Sequence, residues 1–177
     1  MSQLLTLLFL LGNTITVGAK PIESNASIGW AAKSHIIRYA EGTLGQDGYY
    51  MMFTGKLHYD LSKHPALLQS SRRYTSDAAG AYQFLSTTWK EVKYALALPD
   101  FSPDSQEKAA RYLVKRRGVD PDAIYTTKYE FTKAIDKLAP EWAALPYSGT
   151  YHGYYGQTNH NIDTLYYEYQ KQLKNQI

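Results

Sequence analysis

The segment WAAKSHIIRYAEGT, residues 30–43, combines a helical apolar pattern with an acidic residue at its end. Apolar residues recur there at helical spacing, which predicts an α-helix that ends near Ala40. Its inward face is expected to contain Ala32, Ile36 and Ala40. Gly42 is a typical residue for ending such a helix, because glycine adopts left-handed backbone conformations without steric cost. The carboxyl group of Glu41 is therefore expected at the carboxyl end of a helix.

Glu41 is a candidate general acid in this position. The negative end of the helix dipole disfavours a negative charge there, so the protonated form gains. If the aromatic residues Tyr49, Tyr50 and Phe53 fold over the carboxyl group, desolvation acts in the same direction. Both effects favour an acid that protonates a leaving oxygen, as cleavage of a glycan requires. A solvated surface glutamate at a helix end is the alternative interpretation.

Two further motifs suit a sugar-binding groove. Residues 80–85, GAYQFL, present Tyr82 and Gln83 just before a predicted helix. An aromatic face can stack on a sugar ring, and an amide can both donate to and accept from sugar substituents. The loop YHGYYGQ, residues 151–157, contains Tyr155. Core packing of Tyr82, and a tight packing turn around Tyr155, remain open as alternatives.

A glycosidase that uses water normally needs a second carboxylate. The candidates are Asp47, Asp60 and Asp77. Each lies near turn residues, where aspartate commonly hydrogen-bonds its own backbone. No spacing distinguishes one of them as a catalyst.

Metal and cofactor motifs are missing from the sequence. The histidines considered as metal ligands are His58, His64, His152 and His160. They lack the helical spacing and the glutamate partner of a zinc protease, and the glycines after Glu41 do not form a phosphate-binding loop. We therefore expect no metal ion and no cofactor.

The composition indicates one globular domain. The chain has 177 residues, of which 44% are hydrophobic and 20% charged, with no cysteine and a formal charge of +3. Absence of cysteine excludes disulfides and thiol nucleophiles. The mild positive charge is too small to indicate nucleic-acid binding, although it is compatible with an anionic cell wall. A monomer is expected.

The amino-terminal segment predicts export. Residues 1–19 contain an apolar run followed by small residues, which is typical of a secretory signal. A polar linker is expected over residues 20–27 and the catalytic domain over 28–177, with no membrane span in the mature form. The mature protein would be secreted or periplasmic. An uncleaved signal anchor and a buried first helix are the alternatives.

The remaining pattern predicts a mostly helical α+β domain. A small β-hairpin is expected after the Glu41 helix, with strands at residues 49–53 and 57–59. Helices are expected over residues 86–98, 103–117, 128–138 and 162–173, with a short helical turn over 140–145. Their predicted amino-terminal caps are Thr88 with Glu91, Ser102 with Pro103, and Thr127 with Glu130.

Taken together, the motifs resemble the lambda-phage-type endolysins, lysozyme-fold lytic transglycosylases that cut peptidoglycan. The matching strings over about residues 30–174 are Ala40-Glu41-Gly42-Thr43, His64-Pro65, Ala79-Gly80-Ala81-Tyr82-Gln83, Asp100-Phe101-Ser102-Pro103-Asp104-Ser105-Gln106, Trp142-Ala143-Ala144-Leu145-Pro146 and Tyr154-Tyr155-Gly156-Gln157. They occur in the order that the family has.

The resemblance implies a lysozyme-like fold in which Glu41 is the sole catalytic acid. It also implies that Tyr82, Gln83 and Tyr155 lie in a groove that binds peptidoglycan glycan strands. In this family the C6 hydroxyl group of the substrate attacks the anomeric carbon, so a second carboxylate is not needed. A hydrolytic lysozyme on the same fold and a non-catalytic wall-binding module are the competing functions.

Overall fold

The computed structural model describes residues 25–148, 153 and 160–175. Within them the chain forms five α-helices, one 3-10 helix and a two-stranded sheet, which confirms a mostly helical α+β class. The elements in chain order are α1 (Asn25–Ala40), a 3-10 helix (Gln46–Tyr50), β1 (Gln69–Ser70), β2 (Thr75–Ser76), α2 (Ser86–Leu96), α3 (Pro103–Arg116), α4 (Lys128–Leu138) and α5 (Ile162–Asn175). The predicted signal over residues 1–19 lies outside the described residues.

Helix α1 begins at Asn25, earlier than the predicted start at Trp30. The linker predicted over residues 20–27 is therefore wrong for its last three residues. The first turns are supported by a tertiary contact that sequence periodicity does not reveal. A Cβ atom added to Gly29 would lie 2.0 Å from the carbonyl oxygen of Asp122, so the helix backbone packs directly on that loop.

Two predicted helix caps are confirmed. Ser102 accepts a hydrogen bond from the N–H of Ser105 at 3.4 Å, with Pro103 at the first helical position of α3. Thr127 and Glu130 exchange reciprocal hydrogen bonds at the start of α4. These caps depend on residues within one helical turn, which is why the sequence predicts them.

The cap predicted for α2 is wrong. The helix begins at Ser86 and has no side-chain cap from Thr88 with Glu91. Instead, the backbone N–H of Ser86 donates to the carboxylate of Asp77 at 3.4 Å, and its hydroxyl group donates to the same carboxylate. The short helix predicted over residues 140–145 is also not formed, because this segment makes successive turns.

The predicted hairpin is only partly formed. Residues 46–50 form a 3-10 helix instead of the start of a strand, and a single antiparallel bridge joins Met51 to Leu57 across a turn at Gly55. The two-stranded sheet lies later in the chain, where β1 and β2 are antiparallel. Its paired residues are Gln69 with Ser76 and Ser70 with Thr75. The strands are two residues long, too short for a period-2 pattern to identify.

A hydrophobic core holds the described helices together. Helix α1 packs on α5, α2 on α3, and α4 on α5. The largest fully buried apolar side chains are Tyr82, Tyr169, Phe101, Phe131, Ile36, Ile37, Leu113, Leu138, Leu145 and Leu165. This packing leaves the carboxyl end of α1 facing β2 and the turns after α4. Among the described residues, no helix combines the length and apolar character needed to cross a membrane.

Candidate active site

Glu41 lies where α1 ends, as the sequence predicted. Its backbone N–H still donates to the carbonyl of Ile37 at 3.0 Å, so the residue continues the helical geometry. Gly42 then adopts a φ of +71°, and the N–H of Thr43 returns to the carbonyl of Arg38 at 2.9 Å. Such a reversal fixes the direction in which the Glu41 side chain leaves the helix.

Thr43 and Arg38 hold this reversal in place. Thr43 is fully buried, and its hydroxyl group donates to the carbonyl of Ala81. The guanidinium of Arg38 donates to the carbonyl of Thr43 at 3.2 Å and lies 4.6 Å from the ring centroid of Tyr49. Sequence reasoning did not assign these two residues a role. The sequence signal that could have identified Thr43 is its position directly after Glu41-Gly42.

The side chain of Glu41 opens into a cleft of about 540 Å³. Its lining comes from Phe53, the residues of β2, the Gln83 loop, the end of α3 and residues 140–144. The lining residues are Glu41, Phe53, Tyr74, Thr75, Ser76, Ala78, Gln83, Leu85, Thr88, Arg116, Arg117, Pro140, Glu141, Trp142, Ala143 and Ala144. A cleft of this size with mixed polar and apolar walls suits a small ligand or a segment of a polymer.

Glu41 is half-buried at the edge of this cleft. Burial raises the pKa of its carboxyl group from 4.5 to about 7, and a hydrogen bond from the backbone amide of Ala144 opposes part of the rise. The position at the carboxyl end of α1 disfavours the charged form further. The group can therefore hold a proton near neutral pH and release it when an acceptor is close, as a general acid must.

Gln83 also lines the cleft, as predicted. It adopts a φ of +45°, and its side-chain nitrogen donates to the carbonyls of Gly80 at 3.0 Å and Met51 at 3.2 Å. The loop is fixed from behind by Gln106, whose oxygen accepts from the N–H of Ala81 at 2.8 Å. The amide of Gln83 is thus held in one orientation at the cleft wall.

The prediction that Tyr82 contacts the substrate is wrong for this structure. Its side chain is fully buried and stacks on Trp30 at 6.4 Å between ring centroids. Its hydroxyl group lies 2.7 Å from a carboxylate oxygen of Glu107 and 2.7 Å from the hydroxyl oxygen of Ser34. Tyr82 therefore packs in the core, as the alternative interpretation proposed. The loop turns at Gln83, so the side chain of Tyr82 is buried while that of Gln83 lines the cleft.

Only part of the predicted aromatic cover reaches Glu41. Phe53 lines the cleft, whereas Tyr49 donates to Glu107 at 2.7 Å and Tyr50 packs against Tyr59 at 5.3 Å between ring centroids. The 3-10 helix turns these two tyrosines away from the cleft. Tyr155, the remaining groove residue predicted from the sequence, lies outside the described residues.

The three candidate second carboxylates do not line the cleft with Glu41. Asp47 is exposed in the 3-10 helix, and Asp60 accepts from the N–H of Ser62 in its own turn at 3.0 Å. Asp77 caps the start of α2. These are the turn and cap roles that aspartate commonly has.

A different acidic residue, which sequence reasoning missed, lines the cleft. The side chain of Glu141 is 6% exposed and forms ion pairs with Arg116 and Arg117, at 3.1 Å and 2.9 Å. Nothing local in the sequence pointed to it, because both partners lie at the end of α3. The directly preceding Pro140 gave only a turn signal.

The histidine positions do not suggest a metal centre. His64 is buried, which lowers its pKa, and its Nε2 donates to the carbonyl of Phe84 at 2.8 Å while Nδ1 accepts from the N–H of Ala66 at 3.0 Å. The His64 ring therefore fixes the loop that carries Gln83. Within residues 25–148, 153 and 160–175, no group of three or more His, Asp or Glu residues could hold a metal ion.

Comparisons with known proteins identify the family of this chain. Residues 31–175 match the family model described as Endolysin. The chain is 37% identical over 119 residues to the endolysin of Escherichia phage lambda, covering 67% of this chain and 70% of the phage protein. It is 34% identical over 151 residues to the endolysin of Escherichia phage P2, covering 76% of this chain and 87% of the relative.

Solved structures show the same relationship. Bacteriophage lambda lysozyme in complex with a chitohexasaccharide superimposes with a TM-score of 0.69 at 31% identity, covering 85% of this chain and 95% of the lysozyme. A second structure of lambda lysozyme gives a TM-score of 0.69 at 30% identity, covering 82% and 94%. The lysozyme-like fold is confirmed, and the chain belongs to the endolysin family.

Proposed function

We propose that this protein is a lytic transglycosylase that cleaves the β-1,4 bond between N-acetylmuramic acid and N-acetylglucosamine in peptidoglycan. The observation that carries the proposal is the carboxyl group of Glu41, which faces a cleft and has a pKa raised to about 7. Membership in the endolysin family and structural similarity to a lysozyme support peptidoglycan as the substrate. The glycan strand would occupy the cleft beside Glu41.

In the proposed reaction Glu41 first acts as an acid. It transfers its proton to the glycosidic oxygen while the bond from that oxygen to the anomeric carbon breaks. The C6 hydroxyl oxygen of the same muramic acid then bonds to the anomeric carbon, and the hydroxyl proton passes to the Glu41 carboxylate. The products are a free 4-hydroxyl group and a 1,6-anhydromuramoyl end, with Glu41 again protonated.

Hydrolysis on the same fold is the second candidate, and Glu141 is the observation that favours it. A hydrolytic glycosidase uses a second carboxylate as nucleophile or as base for water. The Glu141 carboxylate, however, accepts from Arg116 at 3.2 and 3.1 Å and from Arg117 at 2.9 Å. These three bonds from cationic donors stabilise the charged carboxylate and weaken it as a base for water, which supports a mechanism with Glu41 alone.

Gln83 is the proposed groove contact among the described residues. Its side-chain nitrogen is engaged by backbone carbonyls, which leaves the amide oxygen to accept from a sugar hydroxyl or acetamido group. The similarity to a lysozyme that was solved in complex with a chitohexasaccharide supports a saccharide as the class of ligand. Tyr155 stays a prediction for the same groove.

Product analysis tests the proposal. Purified peptidoglycan is digested and the fragments are identified by mass spectrometry, with Glu41→Gln as the inactive control. The proposal predicts 1,6-anhydromuramoyl ends, one water lighter than hydrolytic products, from the wild type and from Asp47→Asn, Asp60→Asn and Asp77→Asn. Reducing muramic ends without the anhydro form would show a hydrolase. Binding without any cleavage would indicate a wall-binding module.

The substrate also implies a place of action outside the cytoplasm. We propose export directed by residues 1–19, followed by a secreted or periplasmic monomer. Amino-terminal sequencing of exported protein is expected to begin at or near Lys20. Retention of the full-length chain in the membrane fraction would instead indicate a signal anchor.

A further inference from the structure

We propose that Glu141 is a positioning residue that holds the backbone amide of Ala144 against the carboxyl group of Glu41. It does so through its ion pairs with Arg116 and Arg117 at the end of α3. The inference rests on the proposed function, since it concerns how the acid of that reaction is tuned. Three observations carry it: the ion pairs of Glu141, the turn that follows, and the contact between Ala144 and Glu41.

The ion pairs tie two separate parts of the chain together. One nitrogen of Arg116 contacts both carboxylate oxygens of Glu141, at 3.2 and 3.1 Å, and Nε of Arg117 lies 2.9 Å from one of them. The Glu141 side chain is only 6% exposed, so solvent screens these contacts weakly. Removing an arginine from these pairs is costly, because the Glu141 charge stays buried. The segment after α4 is thereby fixed to α3.

A tight turn directly follows Glu141 and presents Ala144. The N–H of Leu145 donates to the carbonyl of Trp142 at 2.9 Å, which makes Ala143 and Ala144 the central residues of the turn. The hydrogen bond that closes the turn uses the N–H of Leu145, not that of Ala144. The N–H of Ala144 donates instead to the carboxyl group of Glu41. The position of this amide depends on what holds the turn.

Contacts with the core also hold the turn. The indole nitrogen of Trp142 donates to the carbonyl of Tyr82 at 3.1 Å, and Leu145 is fully buried. These contacts keep the turn in the core when Glu141 is changed, so variants of Glu141 are expected to fold. They do not replace the tie to α3. Loosening that tie should weaken the bond from Ala144 to Glu41.

The amide of Ala144 stabilises the charged form of Glu41, so its loss raises the pKa of that carboxyl above the wild-type value. Substitutions that preserve every charge distinguish the loss of this hydrogen bond from a direct effect of neighbouring charges on the pKa of Glu41. The other ionisable side chains that line the cleft in the described part of the chain are Tyr74, Arg116, Arg117 and Glu141. A change that only altered their charges could shift the same pKa without moving Ala144.

The test therefore uses substitutions that preserve charge. Glu141→Asp shortens the side chain so that it cannot reach both arginines, and Arg117→Lys removes the Nε contact. Each should move the alkaline limb of the pH profile of kcat/KM upward by roughly half a unit to one unit, the effect of about one hydrogen bond. Glu91→Asp is the matched control: Glu91 contacts Arg116 at 3.4 Å from a side chain that is 70% exposed, and no shift is expected.

Titration of the Glu41 carboxyl by ¹³C NMR gives a readout that does not depend on turnover. An upward shift in Glu141→Asp and Arg117→Lys, absent in Glu91→Asp, supports the inference even if the proposed reaction is not found. An unchanged Glu41 titration in both variants of a correctly folded, active enzyme overturns it, as does a downward shift. A uniform fall in rate without a moved limb would likewise mean a purely structural role.

Discussion

Two glutamates near α1 have opposite surroundings. Glu107, on α3, accepts three side-chain hydrogen bonds, from the hydroxyl groups of Tyr49 and Tyr82 at 2.7 Å each and from the indole of Trp30 at 3.0 Å. Glu41 faces a cleft, and its carboxyl group receives a backbone hydrogen bond from Ala144. The first is a structural acid that joins α3 to α1. The second keeps a proton that it can give away.

The difference shows that donors, more than burial, separate a structural carboxylate from a reactive one. Taking a carboxyl group out of water disfavours its charged form, and donors reverse that effect. Glu107 has hydrogen-bond donors on both carboxylate oxygens. The Glu41 carboxyl group is removed from water, and the hydrogen bond from Ala144 offsets only part of the resulting rise in its pKa. Substitutions of the two glutamates and of Gln83 can therefore separate the two roles.

The largest effect is expected from Glu41→Gln. The amide keeps the shape of the side chain but cannot donate the proton, so kcat should fall by roughly a hundred- to ten-thousand-fold. Binding of glycan fragments should be retained, as measured by calorimetry on the purified variant. Substantial residual turnover would place the acid elsewhere and remove the distinction between the two glutamates.

The same variant should gain stability in a pH-dependent way. Because the pKa of Glu41 is raised from 4.5 to about 7 in the folded protein, the native state binds more protons than the unfolded state between these values. Wild-type stability is therefore lost as pH rises through this window, by up to about 3 kcal/mol, whereas glutamine does not titrate. Urea unfolding should show Glu41→Gln gaining on the wild type between about pH 4 and about pH 8. An equal difference at both pH values would contradict the raised pKa.

Glu107→Gln should affect stability and leave chemistry largely intact. The substitution removes a charge that accepts from three donors, which is expected to cost about 2 kcal/mol in the free energy of unfolding. At temperatures where the variant is folded, kcat/KM should stay within several-fold of the wild type. The control is Glu91→Gln at an exposed site, which should be near neutral. A loss of activity as severe as that of Glu41→Gln would make Glu107 part of the reaction.

Gln83→Ala should have the smallest of these effects. It removes one proposed substrate contact and no proton donor, so kcat/KM should fall by roughly ten-fold. Steady-state kinetics on peptidoglycan fragments measure this, with thermal unfolding as the check that the loop remains folded. A wild-type rate would assign Gln83 to loop packing through its bonds to Met51 and Gly80.

The features that were predicted correctly from the sequence depend on residues that are close together in the chain. The caps at Ser102 and Thr127 depend on neighbouring residues, and Glu41 was identified because glycine directly follows a helical pattern. Glu107 and Glu141 were missed because their partners are distant in sequence; the arginines that bind Glu141 precede it by 24 and 25 residues. The assignment of Tyr82 to the groove was wrong. A tyrosine can stack on a sugar, but it can equally pack in a core where its hydroxyl group donates to a carboxylate, here that of Glu107.

The ionisation of Glu41 in the wild-type enzyme tests most directly whether this residue is the proton donor. The carboxyl group is titrated by ¹³C NMR, and the midpoint is compared with the alkaline limb of the pH profile of kcat/KM. We expect both to lie near pH 7, since burial raises the pKa of Glu41 to about 7. A midpoint near the ordinary value of 4.5, or a kinetic limb that does not coincide with the titration, would contradict Glu41 as the proton donor.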